Sequence, residues 1–451
     1  MAYVIRIALL ATTVTWSIGT AAIDRSRLPE IAAAPDPAQL RATIATLVGF
    51  GTRHTLSTTT SPARGIGAAR EWVRGRFEQI SAQCGNCLTI ATPAQQFSGE
   101  RIKVPTEVTD VVAIQKGSGD PDRVIVLTAH LDSRVSDPMN ATSDAPGADD
   151  DASGVAAIIE AARVLSQFRF PATIVYGVLS GEEQGLYGGK VLAEYAKSQS
   201  WRVEADLNND IVGASHGQNG VVNNGRVRVF SEGTRATETE DEARRRRLEG
   251  GESDSPSRNV ARYVKTVAEQ YVPNWTVATI FRVDRFRRGG DHEAFNELGF
   301  PAVRFTENAE DYRHQHQDVR VEGGVAYGDT MDHLDFDYLA RVSATNAIAA
   351  AAMAAAPPPP ANVKVEGAVA SDTHISWMPA PGTTEGSTFR VYWRDTTSPD
   401  WTHSREVGRA EGLTLSGIVI DDYLFGVSSV SPEGFESPIV SAGAAGSFWK
   451  R

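Results

Sequence analysis

Cysteine is nearly absent from this sequence: its 451 residues include only Cys84 and Cys87, in the pattern Cys-Gly-Asn-Cys. In a cytosolic protein this spacing would suggest a redox or zinc motif. A structural zinc site normally takes four ligands, and the sequence has no second pair of thiols to complete one. If the protein is exported, as its first residues suggest below, a small local disulfide is the better interpretation.

The sequence also lacks an excess of positive charge and, after its first residues, any long apolar run. The formal net charge is −12 with 22% charged residues, which gives no electrostatic basis for binding nucleic acid. The alanine-rich stretch at residues 347–356 is too short to cross a bilayer, and we expect it to end a packed helix. We therefore expect no nucleic-acid partner and no membrane span.

The first 22 residues are typical of a secretory signal. They contain Arg6, then an apolar stretch at residues 7–16, then small residues at 19–22. The apolar stretch is too short for a membrane span. We expect the signal to be removed and the mature protein to be secreted or periplasmic.

The middle of the sequence alternates between strand-like and helix-like patterns. Residues 124–129 and 173–179 read as buried strands, and residues 154–165 and 186–197 read as helices. A long final helix is predicted for residues 336–355. This alternation predicts an α/β fold, with a mostly parallel mixed sheet flanked by helices.

The composition changes after a run of prolines at residues 357–360. The prolines end the helix and predict a stiff linker at residues 357–361. Residues 362–451 contain short alternating strands between Gly, Pro and Ser turns, which predicts a small β-sandwich. The larger of the two predicted domains is therefore residues 23–356.

Three of the predicted strands are followed by acids or histidine. One is followed by His130-Leu-Asp132, another by Glu182 and Glu183, and a third by Asp210. Ligands of open α/β sheets collect at the carboxyl ends of the strands. Three such ends that carry His, Asp or Glu predict one shared metal site, because these are zinc ligands.

A fourth candidate segment is the acidic run Asp149-Asp-Asp151, placed between a flexible loop and a helix start. One Asp would suffice to cap the helix. Two further buried acids would repel each other unless a cation were bound between them. A calcium loop or a solvated acidic turn is the alternative for this segment taken alone.

Taken in order, these motifs resemble the metallopeptidase family that contains the secreted co-catalytic dizinc aminopeptidases, metallopeptidase family twenty-eight. The resemblance covers about residues 37–355 and rests on segments 129–133, 145–154, 180–185, 209–213 and 314–318. The C-terminal segment resembles a fibronectin type III module, through Trp377, Tyr392, Leu415 and Tyr423 in a strand-rich frame.

The resemblance implies two zinc ions per chain and a role for each matching position. Asp150 would bridge the two ions, and Glu182 would be the general base. Asp132 would orient the imidazole of the nearby ligand histidine. The implied metal ligands are His130, Asp150, Glu183, Asp210 and His314.

The choice between His314 and His316 rests on spacing. The family usually places this ligand four residues before an Asp, and His314 stands in that position relative to Asp318. The Thr that usually follows is replaced by Gln315. In an extended segment His316 would point the same way as His314, so it remains the alternative.

These features predict an exported zinc-dependent aminopeptidase that acts on peptides. Alternatives are a same-fold carboxypeptidase, a glutaminyl cyclase, a metal-free relative, and a cell-surface binding protein in which the β-sandwich is the functional part. A cyclase would be expected to hold one zinc, and here the acids for two metals are present. We expect the C-terminal module to contact a polymer or a surface, loops such as 282–290 to set specificity, and residues 232–258 to form a mobile loop.

Overall fold

The computed structural model describes residues 21–443 and 446–449. Nearly all of the predicted secretory signal lies outside the described residues, so it stays a prediction. Within the described residues, none of the helices has both the length and the apolarity that crossing a membrane requires. Cys84 and Cys87 are joined by a disulfide, as expected.

The helices of the described residues are labelled α1 to α10 in chain order. They are Leu28–Ala33, Pro37–Gly49, Gly65–Gln83, Ala152–Leu165, Glu182–Gly185, Tyr187–Ser198, Glu240–Glu249, Pro256–Tyr271, His292–Glu297 and Phe336–Ala355. Short 3₁₀ turns are found at Arg25–Arg27, Met331–His333 and Ile420–Asp422.

The strands are labelled β1 to β21 in the same way. They are Ala21–Ala22, Leu88–Ala91, Ala94–Phe97, Thr106–Thr109, Val111–Gln115, Asp120–His130, Phe168–Arg169, Ala172–Leu179, Arg202–Asn209, Arg226–Ser231, Thr276–Ile280, Ala302–Glu307, Arg320–Glu322, Val325–Tyr327, Ala361–Glu366, Thr373–Met378, Thr388–Asp395, His403–Gly408, Gly412–Leu415, Tyr423–Val430 and Val440–Ser441.

An eight-stranded sheet forms the centre, in the order β11-β10-β12-β9-β6-β8-β5-β2. Its middle is parallel: β6 pairs in parallel with β8 and with β9, and β9 pairs in parallel with β12. Every residue of β8 is buried, which is typical of a strand with helices on both faces. The predicted α/β fold with a mixed sheet flanked by helices is confirmed.

The parallel strands bring the predicted site residues to one edge of the sheet. Strand β6 ends at His130, β9 ends immediately before Asp210, and β8 ends three residues before Glu182. Helix α4 begins at the same edge, where the Asp151 carboxylate caps it by accepting from the backbone N–H of Gly154. The helix start therefore places the acidic run beside the strand ends.

The charged insertion at residues 232–258 is not wholly a loop, although its composition suggested one. It contains helix α7, whose first turn is closed by a capping box. The Thr239 hydroxyl accepts from the backbone N–H of Glu242, and the Glu242 carboxylate accepts from the backbone N–H of Thr239. This reciprocal pair satisfies two donors that a helix start leaves free, so the segment forms regular structure.

The C-terminal residues form two small antiparallel sheets, β15-β16-β19 and β18-β17-β20-β21. Trp377 and Phe389 are buried in this part of the chain. The prolines at residues 357–360 are themselves buried, so they pack against the protein and do not cross solvent as a free linker. The strand-rich composition thus did predict β-sheets, and the fibronectin type III identity stays a prediction.

A buried ion pair joins the C-terminal sheets to the larger part of the chain that precedes them. Arg394 of β17 contacts Asp254, which precedes α8, at 2.6 Å between Nη2 and Oδ1, and both side chains are almost fully buried. Arg262 of α8 adds a hydrogen bond from Nε to the carbonyl of Pro399, at 2.6 Å. These contacts indicate that the two parts fold against each other.

Arg394→Ala is expected to lower the free energy of unfolding by about 3–5 kcal/mol, because it leaves the buried Asp254 carboxylate without its main partner. Chemical denaturation measures the change. Arg405→Ala, on the exposed strand β18, is the control and should cost less than about 0.5 kcal/mol. Equal stability of the two variants would contradict the interface.

Candidate metal centre

Two groups of metal-ligating side chains lie at the carboxyl edge of the parallel strands, and they share one residue. The first group is His130, Asp150 and Asp210, all buried, and the second is Asp150, Glu183 and His316. In each group one ligand atom per residue lies within 4.8 Å of the others. The Asp150 carboxylate therefore stands between two sets of ligands.

The ring of His130 is held in the orientation and tautomer that a metal ligand needs. Its Nδ1 lies 3.0 Å from the backbone carbonyl of Asp132, and a carbonyl can only accept, so Nδ1 carries the proton. In the neutral ring that a metal ion requires, Nε2 then has a free lone pair. That atom lies 3.0 Å from Oδ1 of Asp150 and 3.9 Å from Oδ1 of Asp210.

The three consecutive acids have three different surroundings. Asp149 accepts from the backbone N–H of Gly213 at 2.7 Å, and Asp151 caps α4 through Gly154. Only Asp150, the middle acid, belongs to the two ligand groups. The structure thus separates one acid that faces the other candidate ligands from two that hydrogen-bond to the backbone. The peptide bond between Asp150 and Asp151 is cis.

Asp329 supports this run from a distant part of the chain. Its two carboxylate oxygens accept from the backbone N–H groups of Asp149 and Asp150, both at 2.8 Å. Because it holds two consecutive amides, Asp329 fixes the position of the Asp150 side chain. Sequence analysis missed it, since no local motif marks a residue 179 positions after its partner.

The Asp132 carboxylate does more than orient His130. It accepts from the backbone N–H groups of Glu182 and Glu183, at 3.2 and 3.1 Å, and from the hydroxyl of Thr55 at 2.9 Å. Its distance to Nδ1 of His130 is longer, 3.7 Å. Asp132 therefore anchors the start of α5, and its contact with the imidazole runs mainly through its backbone carbonyl.

The structure brings His316, and not His314, to the ligand groups. Nε2 of His316 lies 2.9 Å from Oδ2 of Asp150 and 3.1 Å from Oε1 of Glu183. The ring of His314 instead stacks on His333, with 4.2 Å between ring centroids, and its Nδ1 donates to the carbonyl of Gly328 at 2.9 Å.

The choice of His314 from its spacing to Asp318 is therefore corrected to His316. The segment is a series of turns and not an extended strand, and His316 has a left-handed backbone with φ of 52°. The two imidazoles consequently diverge, although in an extended segment they would have pointed the same way.

Two arginines that the sequence did not indicate contact the ligand groups. Nη2 of the buried Arg304 lies 2.7 Å from Oδ1 of Asp210. Nε of Arg134 donates to Oε2 of Glu183 at 2.7 Å, and its Nη2 lies 2.6 Å from Nδ1 of His316. A metal on Nε2 of His316 would leave the proton on Nδ1, so Arg134 would then have to turn away from this ring.

The electrostatic surroundings keep Asp150 ionised. Burial alone would raise its pKa, but when the rings of His316 and His130 are protonated, their charges and hydrogen bonds hold the pKa well below its usual value. Burial raises the pKa of the Glu182 carboxyl well above its usual range, partly offset by the charge of His130. A metal ligand must be deprotonated, whereas a group that takes and returns a proton benefits from a raised pKa.

The chemistry of these donors fits zinc. Each group offers imidazole nitrogen and carboxylate oxygen, the ligands that catalytic zinc sites use, and three protein ligands leave a position for water. A third group, Asp284, His292 and Glu293, fits less well, because Arg304 already donates to both oxygens of Asp284. Only the first two groups share a carboxylate.

Comparison with known proteins identifies a peptidase family for the part of the chain that contains the two ligand groups. Residues 110–347 match the model of peptidase family M28. A protein of Pyricularia oryzae named "Probable zinc metalloprotease" is 44% identical over 410 residues, which cover 89% of this chain and 82% of the relative.

Two solved structures share the fold. The LapA aminopeptidase of Legionella pneumophila superposes with a TM-score of 0.52 at 20% identity, over 73% of this chain and 75% of that chain. An aminopeptidase from Aneurinibacillus sp. strain AM-1 gives a TM-score of 0.51 at 15% identity, over 73% of this chain and 97% of that one.

The family match spans more than half of the sequence and includes every residue of the two ligand groups. The curated relative extends the similarity over most of both chains. The chain therefore belongs to peptidase family M28.

Proposed function

We propose that this chain is a zinc-dependent aminopeptidase that removes N-terminal residues from peptides. The observation that carries the proposal is the pair of ligand groups that share Asp150. His130 and Asp210 would complete one zinc site, and Glu183 and His316 would complete the other. A bridging carboxylate suits a two-metal hydrolase, in which the ions lie about 3.5–4 Å apart.

Bound zinc supplies Lewis-acid chemistry, which polarises the scissile carbonyl and acidifies a water molecule. Glu182 accepts the proton of the attacking water and delivers it to the nitrogen of the leaving amine. Its position suits this role, because Glu182 lines the cavity beside the ligand groups and its backbone N–H donates to the Asp132 carboxylate. Asp132 and Asp329 keep the backbone of Glu182 and of Asp150 in place.

The names of similar proteins support both the zinc chemistry and the aminopeptidase activity. The curated relative is named as a zinc metalloprotease, and the Legionella and Aneurinibacillus proteins are named as aminopeptidases. The donor set of this chain fits zinc independently of those names.

We also propose that the protein is exported and that its C-terminal sheets form a fibronectin type III-like module. The pattern of residues 1–22 and the disulfide between Cys84 and Cys87 support export, since disulfides persist in oxidising compartments. We propose that the module contacts a polymer or a surface and takes no part in the chemistry, because both ligand groups lie before residue 320.

The function is tested with zinc-loaded protein and amino-acid arylamides. We expect hydrolysis of arylamides with a free amino group, slower hydrolysis of their N-acetylated forms, and loss of activity on chelation that zinc restores. A preference for the acetylated forms would contradict an aminopeptidase, and activity that survives complete metal removal would contradict the zinc chemistry.

A further inference from the structure

Four arginines line the cavity next to the ligand groups. It has a volume of ≈ 390 Å³, and Arg101, Arg134, Arg285 and Arg288 line it together with Asp150, Glu182, Glu183 and Asp210. In the proposed function, all four of these carboxylates bind metal or move a proton. These carboxylates would therefore be used by the metal ions or by the proton transfer. The positive charges of the arginines would remain in the cavity.

A second cavity lies beside the first and is lined by more arginines than acids. Its volume is ≈ 430 Å³, and it shares Arg285 and Arg288 with the first cavity. Arg228 and Arg282 are added to its lining, with Glu310 as the one acid among the described residues there. The positive excess at the junction of the two cavities is thus present even without metal ions.

The two arginines that line both cavities make only long contacts with protein acids. Nη2 of Arg285 is 3.9 Å from Asp210, its Nε is 3.5 Å from Asp284, and its Nη1 is buried with no hydrogen-bond partner in the described part of the chain. The Arg285 side chain is only 8% exposed. Burying a cation with contacts this long raises the free energy of the folded protein, unless an anion binds beside the cation.

Arg288 is the more accessible of the two. Its side chain is 32% exposed, and Nη1 contacts Glu310 at 3.5 Å and the side-chain oxygen of Gln315 at 3.3 Å. Both distances are long for hydrogen bonds of a guanidinium. The segment that carries both residues, 282–288, has four arginines in seven positions, although the whole chain has a net charge of −12.

We propose that Arg285 and Arg288 bind a carboxylate of the substrate, so that the enzyme prefers acidic substrates. This specificity rests on the proposed function and adds a substrate class to it. Planar guanidinium groups match carboxylates in a bidentate geometry, which makes arginine suited to this recognition. The carboxylate is either the side chain of an acidic N-terminal residue or the C-terminal carboxylate of a short peptide.

Binding to zinc-loaded protein, measured by calorimetry, tests the proposal without requiring turnover. One pair of probes is glutamate α-amide and glutamine α-amide, which differ in the side-chain carboxylate. The other pair is acetyl-leucine and acetyl-leucine amide, which differ in the terminal carboxylate. We expect the charged member of one pair to bind about 10- to 100-fold more tightly, and the pair that responds identifies the source of the carboxylate.

Variants distinguish binding of the carboxylate by the arginines from binding of the carboxylate to zinc. Arg288→Met and Arg285→Met should each reduce the preference for the charged probe over the uncharged one at least about fivefold, because one strong charge-assisted contact is lost. Arg287→Met is the matched control, since Arg287 lies in the same segment, is exposed and lines neither cavity. Arg288→Met keeps the test valid if Arg285→Met fails to fold.

Two results would overturn the proposal: no preference in either pair, or a preference that Arg288→Met leaves unchanged. Hydrolysis of arylamides by the same samples is recorded separately. Hydrolysis without any carboxylate preference would leave the proposed function standing and reject this specificity. Carboxylate binding that depends on Arg288, without any hydrolysis, would reject the proposed function and retain the anion site.

Discussion

Glu182→Gln is expected to lose about 10²–10⁴-fold in turnover while its zinc content stays the same. The substitution keeps the size of the side chain but removes the group that accepts and returns the proton, and general-base removal has this typical cost. Because Glu182 belongs to neither ligand group, metal binding should not depend on its charge. Turnover of an arylamide and metal content, measured on the same sample, give both numbers.

The neighbouring residue provides the comparison. Glu183→Gln should lose zinc, since Glu183 is one of three potential ligands in the group with Asp150 and His316. Its activity should be partly restored by excess zinc, whereas excess zinc should not rescue Glu182→Gln. If the two variants had the same metal content, the proposed division of roles between these neighbours would be wrong.

His316→Ala is expected to weaken zinc binding at least about tenfold and to reduce activity with it. Even partners that only support a ligand are worth about 10–100-fold in metal affinity, and Nε2 of His316 lies within 3.1 Å of both Asp150 and Glu183. Zinc affinity in a competition titration is the measurement.

His314→Ala is the matched control for this prediction, only two positions away. It removes a ring stacked on His333 and a hydrogen bond to Gly328, and no atom of the ligand groups. We expect its zinc affinity to remain close to that of the unchanged protein. The opposite ranking of the two variants would return the ligand role to His314.

The parts of the fold that follow from local patterns could be predicted from the sequence. Buried strands such as β6 and β8 are short apolar runs, and α10 occupies residues 336–355 as expected. Because parallel strands end at one edge, the acids that follow them could be expected to meet there. The structure does bring His130, Asp150, Glu183 and Asp210 together.

Features that depend on turns and on distant contacts could not be predicted in this way. The direction of the His316 ring depends on one left-handed residue in a loop, which no periodicity reveals. Asp329 and Arg304 reach the site from separate parts of the chain, so their role becomes visible only when the sheet is assembled. Helix α7 was missed for a different reason: its capping box was present in the sequence, but the high charge of the segment suggested a mobile loop.

Metal content per chain tests the central claim most directly, because the account depends on a carboxylate shared by two ions. Active protein should hold two zinc ions per chain, and Asp150→Asn should lose both of them together with activity. Asp144→Asn, an exposed acid in the same loop region, should retain both. A single ion in fully active protein, or an Asp150→Asn variant that keeps one ion at full affinity, would contradict the shared-ligand centre.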